Sequence, residues 1–151
     1  MSVLRVVARV LLGVALLVAG TGHLTVARQE FVAQVPLWLA QWLPLSADLV
    51  VVASGIVEIV LGLSLIVLHR YREWVGWVVA AFFVAIFPGN ISQLATGTDA
   101  FGLDSDAARV IRLFFQPVLV IWALWSTGAW RAFREWRRSS TVRARAGSAG
   151  T

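Results

Sequence analysis

The stretch ADLVVVASGIVEIVLGLSLIVL, residues 47–68, decides the fold class of this chain. It is long enough to cross a bilayer as one helix, because a spanning helix needs about 20 mostly apolar residues. Glu58 lies near its middle, where a carboxylate is costly to insert into lipid. Such a carboxylate must pair with a polar group or take up a proton. The stretch therefore predicts a membrane helix that turns Glu58 toward the inside of a helix bundle.

Three further apolar runs have the length of a membrane span, at about residues 3–21, 74–94 and 107–130. The composition agrees, with 59% hydrophobic and 14% charged residues, against about 25% charged residues in a soluble domain. The first run resembles a signal peptide in outline, but three spans follow it and no clear cleavage site is present. We predict an all-α polytopic membrane protein, with a four-helix bundle in residues 1–130 and a basic tail in residues 131–151.

Two segments outside the spans carry aromatic residues. Residues 27–45 are semi-apolar and have prolines as breaks, so they predict a short interfacial segment between the first two spans, with Trp38 and Trp42 at headgroup depth. The start of the tail, residues 131–138, mixes arginine with aromatic residues, which suits an anionic membrane surface. We expect the chain after Ser139 to be disordered.

The arginines predict the orientation of the chain. All 13 basic residues are arginine, and ten of them flank the same side of the predicted spans. The other three are Arg28, Arg109 and Arg112. Because positive charge is retained on the cytoplasmic side, both termini are expected in the cytoplasm, with the chain in the cell (inner or plasma) membrane. This distribution is typical of a protein whose partner is the lipid bilayer, and no nucleic acid partner is expected.

Polar residues converge on the outward half of this bundle. Every span contributes at least one; the set is His23, Ser54, Glu58, Asn90, Gln93, Arg112 and Gln116. Arg112 and Gln116 are four residues apart and share a helix face. The pattern predicts a polar pocket centred on Glu58, with Arg112 as its charged partner, reached through Gln116 or a water molecule.

Each member also has a purely structural interpretation. His23 alone is more often an interfacial histidine than a ligand. Asn90 and Gln93 are of a type that bonds across helices in many bundles. Arg112 is able to extend to the lipid headgroups, and Glu58 to support the fold through a hydrogen bond.

Some kinds of chemistry are excluded by composition. Because the chain has no cysteine, it holds no thiol chemistry, iron–sulfur cluster, thiolate zinc site or covalent haem. The two histidines, His23 and His69, are expected at opposite membrane faces, which excludes a bis-histidine haem. The carboxylates of the loop after the third span lack the spacing of a calcium loop, so no metal site is expected.

Five short motifs resemble, in order, those of the DoxX-like membrane proteins. They are Gly22-His23 at the end of the first span, Val35-Pro36 with Leu43-Pro44, Ser54 to Gly62 around Glu58, Phe87-Pro88-Gly89-Asn90-Ile91, and Arg112 to Gln116. The resemblance covers about residues 3–130. Two features depart from it: Leu24 replaces an aromatic residue, and a proline is missing at Phe114 while Pro117 follows Gln116.

The resemblance implies a four-helix membrane fold. Some DoxX-like proteins are membrane subunits of a thiosulfate:quinone oxidoreductase, and others associate with enzymes of thiol-oxidant defence. The first hypothesis is therefore a quinone-linked subunit of an oxidoreductase system. His23, Glu58, Asn90 and Arg112 would hold a ubiquinone or menaquinone headgroup, and a redox partner protein or soluble donor would supply electrons.

Two alternatives come from other classes. The first is a small-solute or proton-coupled carrier in which Glu58 titrates. Four helices are few for a carrier, so this function would need a homo-oligomer. The second is a non-catalytic membrane assembly protein that holds a partner through its basic tail and small-residue stripes.

Overall fold

The chain is all-α and contains four long apolar helices. The computed structural model describes residues 2–36, 39, 46–97 and 105–148, and none of these lies in a β-strand. The elements are α1 (Val3–Leu24), α2 (Arg28–Val32), α3 (Ala47–Val67), a 3-10 turn (His69–Tyr71), α4 (Arg72–Thr96), α5 (Asp106–Thr127) and α6 (Ala129–Ser148). The four helices α1, α3, α4 and α5 are each long and apolar enough to cross a membrane. The predicted all-α bundle of four spans is confirmed.

The short helix α2 lies in the segment where an interfacial element was predicted. The two tryptophans assigned to headgroup depth, Trp38 and Trp42, lie outside the described residues.

Local signals explain where the long helices begin and end. The hydroxyl groups of Ser46 and Ser105 accept hydrogen bonds from backbone N–H groups in the first turns of α3 and α5. Gly97 and Gly128 follow α4 and α5 with φ angles of +64° and +81°, a left-handed conformation that glycine adopts without strain. The fourth span therefore ends at Thr127, three residues before the predicted end.

The tail is helical rather than disordered. The helix α6 continues to Ser148, so the expectation of disorder after Ser139 was wrong. Phe133 on α6 packs edge-on against Trp77 of α4, with ring centroids 5.7 Å apart, and stacks on Trp136 at 6.1 Å. These aromatic contacts hold one face of α6 against the start of α4, which the sequence pattern alone did not indicate.

The bundle consists of two helix pairs, α1 with α3 and α4 with α5. Four glycines, Gly13, Gly20, Gly55 and Gly62, form the contact between α1 and α3, which we call the glycine seam. A Cβ atom on Gly20 would lie 2.6 Å from the Gly55 carbonyl oxygen, and one on Gly62 would lie 2.6 Å from that of Gly13. Glycine is required because the two backbones touch. Such close approach is a main source of helix association in lipid.

The apolar core joins the two pairs in one half of the bundle. Its centre includes Leu65 and Val79, whose side chains are fully buried, together with Leu12 and Phe83. The Trp122 indole N–H donates to the Ala8 carbonyl oxygen at 2.9 Å and ties α5 to α1. At its outer limit, this half contains the first residues of α1 and the last residues of α5. We call this end of the bundle the arginine-rich end. The opposite end, where the two pairs separate around a cavity, is the cavity end.

Candidate functional site

A cavity of about 560 Å³ separates the two helix pairs toward the cavity end. Its walls are mainly apolar and include Leu16, Phe83, Ile86 and Leu119. Small-molecule sites in proteins usually measure about 300–1,000 Å³ and combine apolar walls with a few polar groups. By size and lining, this cavity is the candidate functional site.

Most of the polar residues predicted from the sequence line this cavity. Those that do are His23, Ser54, Glu58, Asn90, Arg112 and Gln116. Gln93 is buried at 2% exposure but is not part of the lining. It lies about one turn beyond Asn90 along α4. Its membership of the polar pocket stays a prediction.

Glu58 contacts His23 within the buried part of the site. The two residues are 4% and 7% exposed, and His23 Nδ1 lies 3.1 Å from Glu58 Oε2. The glycine seam makes this contact possible. A Cβ atom on Gly55 would lie 2.7 Å from that of His23, and one on Gly20 would lie 3.0 Å from that of Glu58. The direct neighbour of Glu58 is thus His23, because the seam brings α1 rather than α5 against it. The pairing of Glu58 with Arg112 through Gln116 or a water molecule stays a prediction.

The surroundings of His23 indicate where its ring hydrogen lies. His23 Nδ1 is also 2.9 Å from the Ala19 carbonyl oxygen, which can only accept a hydrogen bond. Nδ1 therefore carries hydrogen and donates it to the Ala19 carbonyl oxygen. Glu58 Oε2 has no well-oriented hydrogen bond within the described part of the chain. It retains the capacity to accept a hydrogen bond, or to exchange a proton with a molecule in the cavity.

Phe31, in α2, covers the other side of the histidine. Its ring stacks on that of His23, with centroids 3.3 Å apart and an interplanar angle of 17°. The stacked ring limits the orientations open to the imidazole. The segment after α1 therefore holds His23 in place as well as closing the cavity.

The helix pair α4 and α5 contributes a second polar group to the cavity. Asn90 Nδ2 donates to Gln116 Oε1 at 2.9 Å, and Gln116 Nε2 donates to the Phe83 carbonyl oxygen at 2.7 Å. Pro88 lacks an N–H group and cannot bond the Val84 carbonyl, so backbone pairing of α4 is weakened next to Phe83. Gln116 thus links α4 to α5 by hydrogen bonds at the point where Pro88 interrupts the backbone hydrogen bonding of α4.

Gln34 belongs to the site but was not predicted from the sequence. It follows α2, is 9% exposed and accepts a 2.9 Å hydrogen bond from Arg112 Nη2. Its Nε2 atom is buried and has no hydrogen-bond partner within the described ranges. The signal was present, since Gln34 lies three residues after Phe31 and next to Val35 on the semi-apolar face of this segment. Polar side chains therefore reach the cavity from all four long helices and from the segment after α2.

The cross-links made by Gln116 give a stability prediction. We expect Gln116→Leu to lower the free energy of unfolding by about 1–2 kcal/mol, because two interhelical hydrogen bonds are lost at about 0.6 kcal/mol each and Asn90 loses its acceptor. Denaturant unfolding in detergent, followed by tryptophan fluorescence, measures the change. Thr21→Val is a matched control, since Thr21 is exposed and bonds only its own helix. Equal unfolding midpoints for the two variants would contradict the prediction.

Comparison with known proteins places the chain in a family. A family model described as Domain of unknown function (DUF8561) matches residues 12–127, and the chain belongs to this family. No curated protein and no solved structure matches the chain. The matched region runs from the middle of α1 to the end of α5 and contains every cavity residue named above.

Proposed function

We propose that this DUF8561 protein is a membrane subunit that binds a quinone headgroup in its cavity and links it to an oxidoreductase system. The proposal rests on one observation: the cavity has apolar walls and carries polar groups on two opposite sides. His23 and Glu58 stand on one helix pair, and Asn90, Arg112 and Gln116 on the other. A quinone has the matching form, with two carbonyl groups on opposite sides of a ring and an apolar tail.

The polar groups supply what quinone chemistry requires. The two carbonyl oxygens of an oxidised quinone accept hydrogen bonds, and Arg112 and Asn90 are donors that line the cavity. Reduction to the quinol takes up two electrons and two protons. The His23–Glu58 pair is suited to exchange protons with one quinone oxygen, because the groups share a polar contact inside the cavity. The electrons would come from a redox partner protein or a soluble donor.

The orientation that the arginines favour determines where the cavity lies in the membrane under this proposal. With both termini in the cytoplasm, as the 10-to-3 distribution of arginines favours, the cavity occupies the outward half of the cell membrane. An apolar quinone tail would then lie along the cavity wall toward lipid, and the headgroup near Glu58. A donor on the outer face would have the shorter route to the headgroup.

The resemblance to the DoxX-like proteins supports this function. Residues of all five motifs, including His23, Glu58, Asn90 and Arg112, line one cavity. Some DoxX-like proteins are subunits of a quinone-reducing enzyme, so the resemblance favours a quinone over other amphiphilic molecules. The chain itself holds no cysteine, and a partner carrying the redox group is therefore part of the proposal.

The test is quinone analysis of the purified protein. We expect native mass spectrometry and solvent extraction to find about one quinone per wild-type cavity and a strongly reduced amount in Glu58→Gln. Glu135→Gln is the matched control, since it makes the same chemical change on α6, far from the cavity. Quinone lost equally from both variants, or absent from folded wild type even after quinone is added, would contradict the proposal.

The buried His23–Glu58 pair favours one alternative, a proton-coupled carrier of a small solute. In reconstituted vesicles without quinone, solute uptake driven by a pH gradient and lost in Glu58→Gln would support the carrier. If Glu58→Gln differs from wild type only in the yield of a partner complex, the chain acts as a membrane assembly protein.

A further inference from the structure

The arginine-rich end contains a buried guanidinium group, that of Arg9. Arg9 is 5% exposed, and its Nε and Nη1 atoms are buried without a hydrogen-bond partner among the residues that the structure describes. It lies on the same interior face of α1 as Leu12, Leu16 and His23. Burying a charged group without compensation is strongly unfavourable. An anion from outside the chain would supply the missing interactions.

A small polar recess of about 180 Å³ opens at this end of the bundle. Three arginines line it, Arg5, Arg72 and Arg131, together with the carboxylates of Glu73 and Glu135. Arg5 lies one helical turn before Arg9, so the two share a face of α1. Arg72 is close enough to Arg9 for their like charges to repel each other. Arg9 does not line the recess itself, but it lies one helical turn from Arg5, which does. We group Arg9 with the three lining arginines as one cluster.

The carboxylates neutralise only part of this charge. Arg72 Nη2 bonds Glu73 at 3.2 Å, while Arg72 Nε is buried without a hydrogen-bond partner in the described ranges. Three guanidinium groups and two carboxylates line the recess, which leaves a net positive charge even before Arg9 is counted. The recess also includes Gly128, where the left-handed backbone separates α5 from α6. The turn between the two helices thus leaves room for a small anionic group.

We infer that this cluster binds the phosphate of an anionic phospholipid headgroup, with Arg9 donating from inside the bundle and Arg5 and Arg72 from its edge. Guanidinium groups suit phosphate because their paired N–H donors match its oxygens. The cluster lies at the ends of spanning helices, next to the amphipathic helix α6 and its aromatic side chains, at the depth where headgroups occur. Basic recesses at helix ends are common sites for anionic lipids.

Lipid binding to the detergent-purified full chain tests the inference. Native mass spectrometry would compare phosphatidylglycerol, phosphatidylcholine and inorganic phosphate as added probes. We expect phosphatidylglycerol to bind wild type at least about tenfold more tightly than phosphatidylcholine, and Arg9→Gln to lose about tenfold in that affinity, as for one charged hydrogen bond. Arg138→Gln, which removes one exposed arginine from the same end, should change it by less than about twofold.

Three results would overturn the inference. They are equal binding of the two lipids, equal losses in Arg9→Gln and Arg138→Gln, and inorganic phosphate displacing phosphatidylglycerol at matched concentration. The last would mean that the cluster is a site for free anions.

Folding of the variants is controlled separately. Arg9→Met removes the buried charge, so in lipid-free detergent its Tm is expected to equal or exceed that of wild type, while added phosphatidylglycerol raises only the wild-type Tm. Arg5→Gln, at a less buried position, should also weaken phosphatidylglycerol binding. If Arg9 variants do not fold, unchanged binding in Arg5→Gln would overturn the inference.

Discussion

Alanine in place of Gly20 is expected to lower the free energy of unfolding by about 2–3 kcal/mol, the upper part of the range for overpacked cores. The added Cβ atom would lie 2.6 Å from the Gly55 carbonyl oxygen, and a backbone atom cannot move aside as a side chain can. The helices α1 and α3 must separate, which weakens every contact along the glycine seam. Unfolding in mild detergent, monitored by circular dichroism, measures the loss.

The same helix offers a matched control for this substitution. Among the residues that the structure describes, the atom nearest to a Cβ on Gly22 would be the Ala27 Cβ, at 3.8 Å. We expect Gly22→Ala to leave stability unchanged or to raise it by up to about 1 kcal/mol, since alanine favours helix more than glycine does. If Gly20→Ala were as stable as Gly22→Ala, the two helices would not be in contact through the seam.

The second large effect is expected from breaking the buried pair of the site. His23→Leu should lower the free energy of unfolding by about 3–5 kcal/mol, because it leaves the Glu58 carboxylate buried without its polar neighbour. The double variant His23→Leu/Glu58→Leu should be more stable than His23→Leu alone, since the uncompensated charge is then gone. A double-mutant cycle based on denaturant unfolding gives the coupling energy.

Additive losses in this cycle would contradict the pairing of His23 with Glu58. An exposed ion pair provides the comparison. Arg28 donates to Asp48 through Nε and Nη2, but both side chains are well exposed to solvent. The coupling energy between these two residues should be far smaller, because solvent screens their charges.

Much of the fold was predictable because each span is specified locally. Hydropathy over a window of 20 residues reflects only the thickness of the bilayer, and the four runs matched α1, α3, α4 and α5 within a few residues. The early end of α5 depends on the backbone of Gly128, which hydropathy does not register. The helical tail depends on contacts between Phe133 and Trp77, which are distant in sequence.

The candidate site was predictable in its members but not in its pairings. Polar residues on apolar helices must turn inward, and this rule alone brings six of the seven predicted residues to the cavity. The contacts among these polar residues depend on how far each helix is rotated about its axis and shifted along it. The glycine seam determines the rotation and the shift of α1 relative to α3, and it therefore brings His23 into contact with Glu58. From the sequence, Arg9 was counted only among the arginines that indicate the orientation of the chain. Its burial was not predictable, because it depends on how α1 packs against the other helices.

The glycine seam also has a consequence for biogenesis. The helices α1 and α3 leave the ribosome before α4 and α5, and the contact between α1 and α3 needs nothing from the later helices. We expect them to associate as a hairpin beside the translocon, with His23 already placed next to Glu58. The Glu58 side chain would then enter lipid in a shielded form. The bond between Asn90 and Gln116 can form only once synthesis has reached α5.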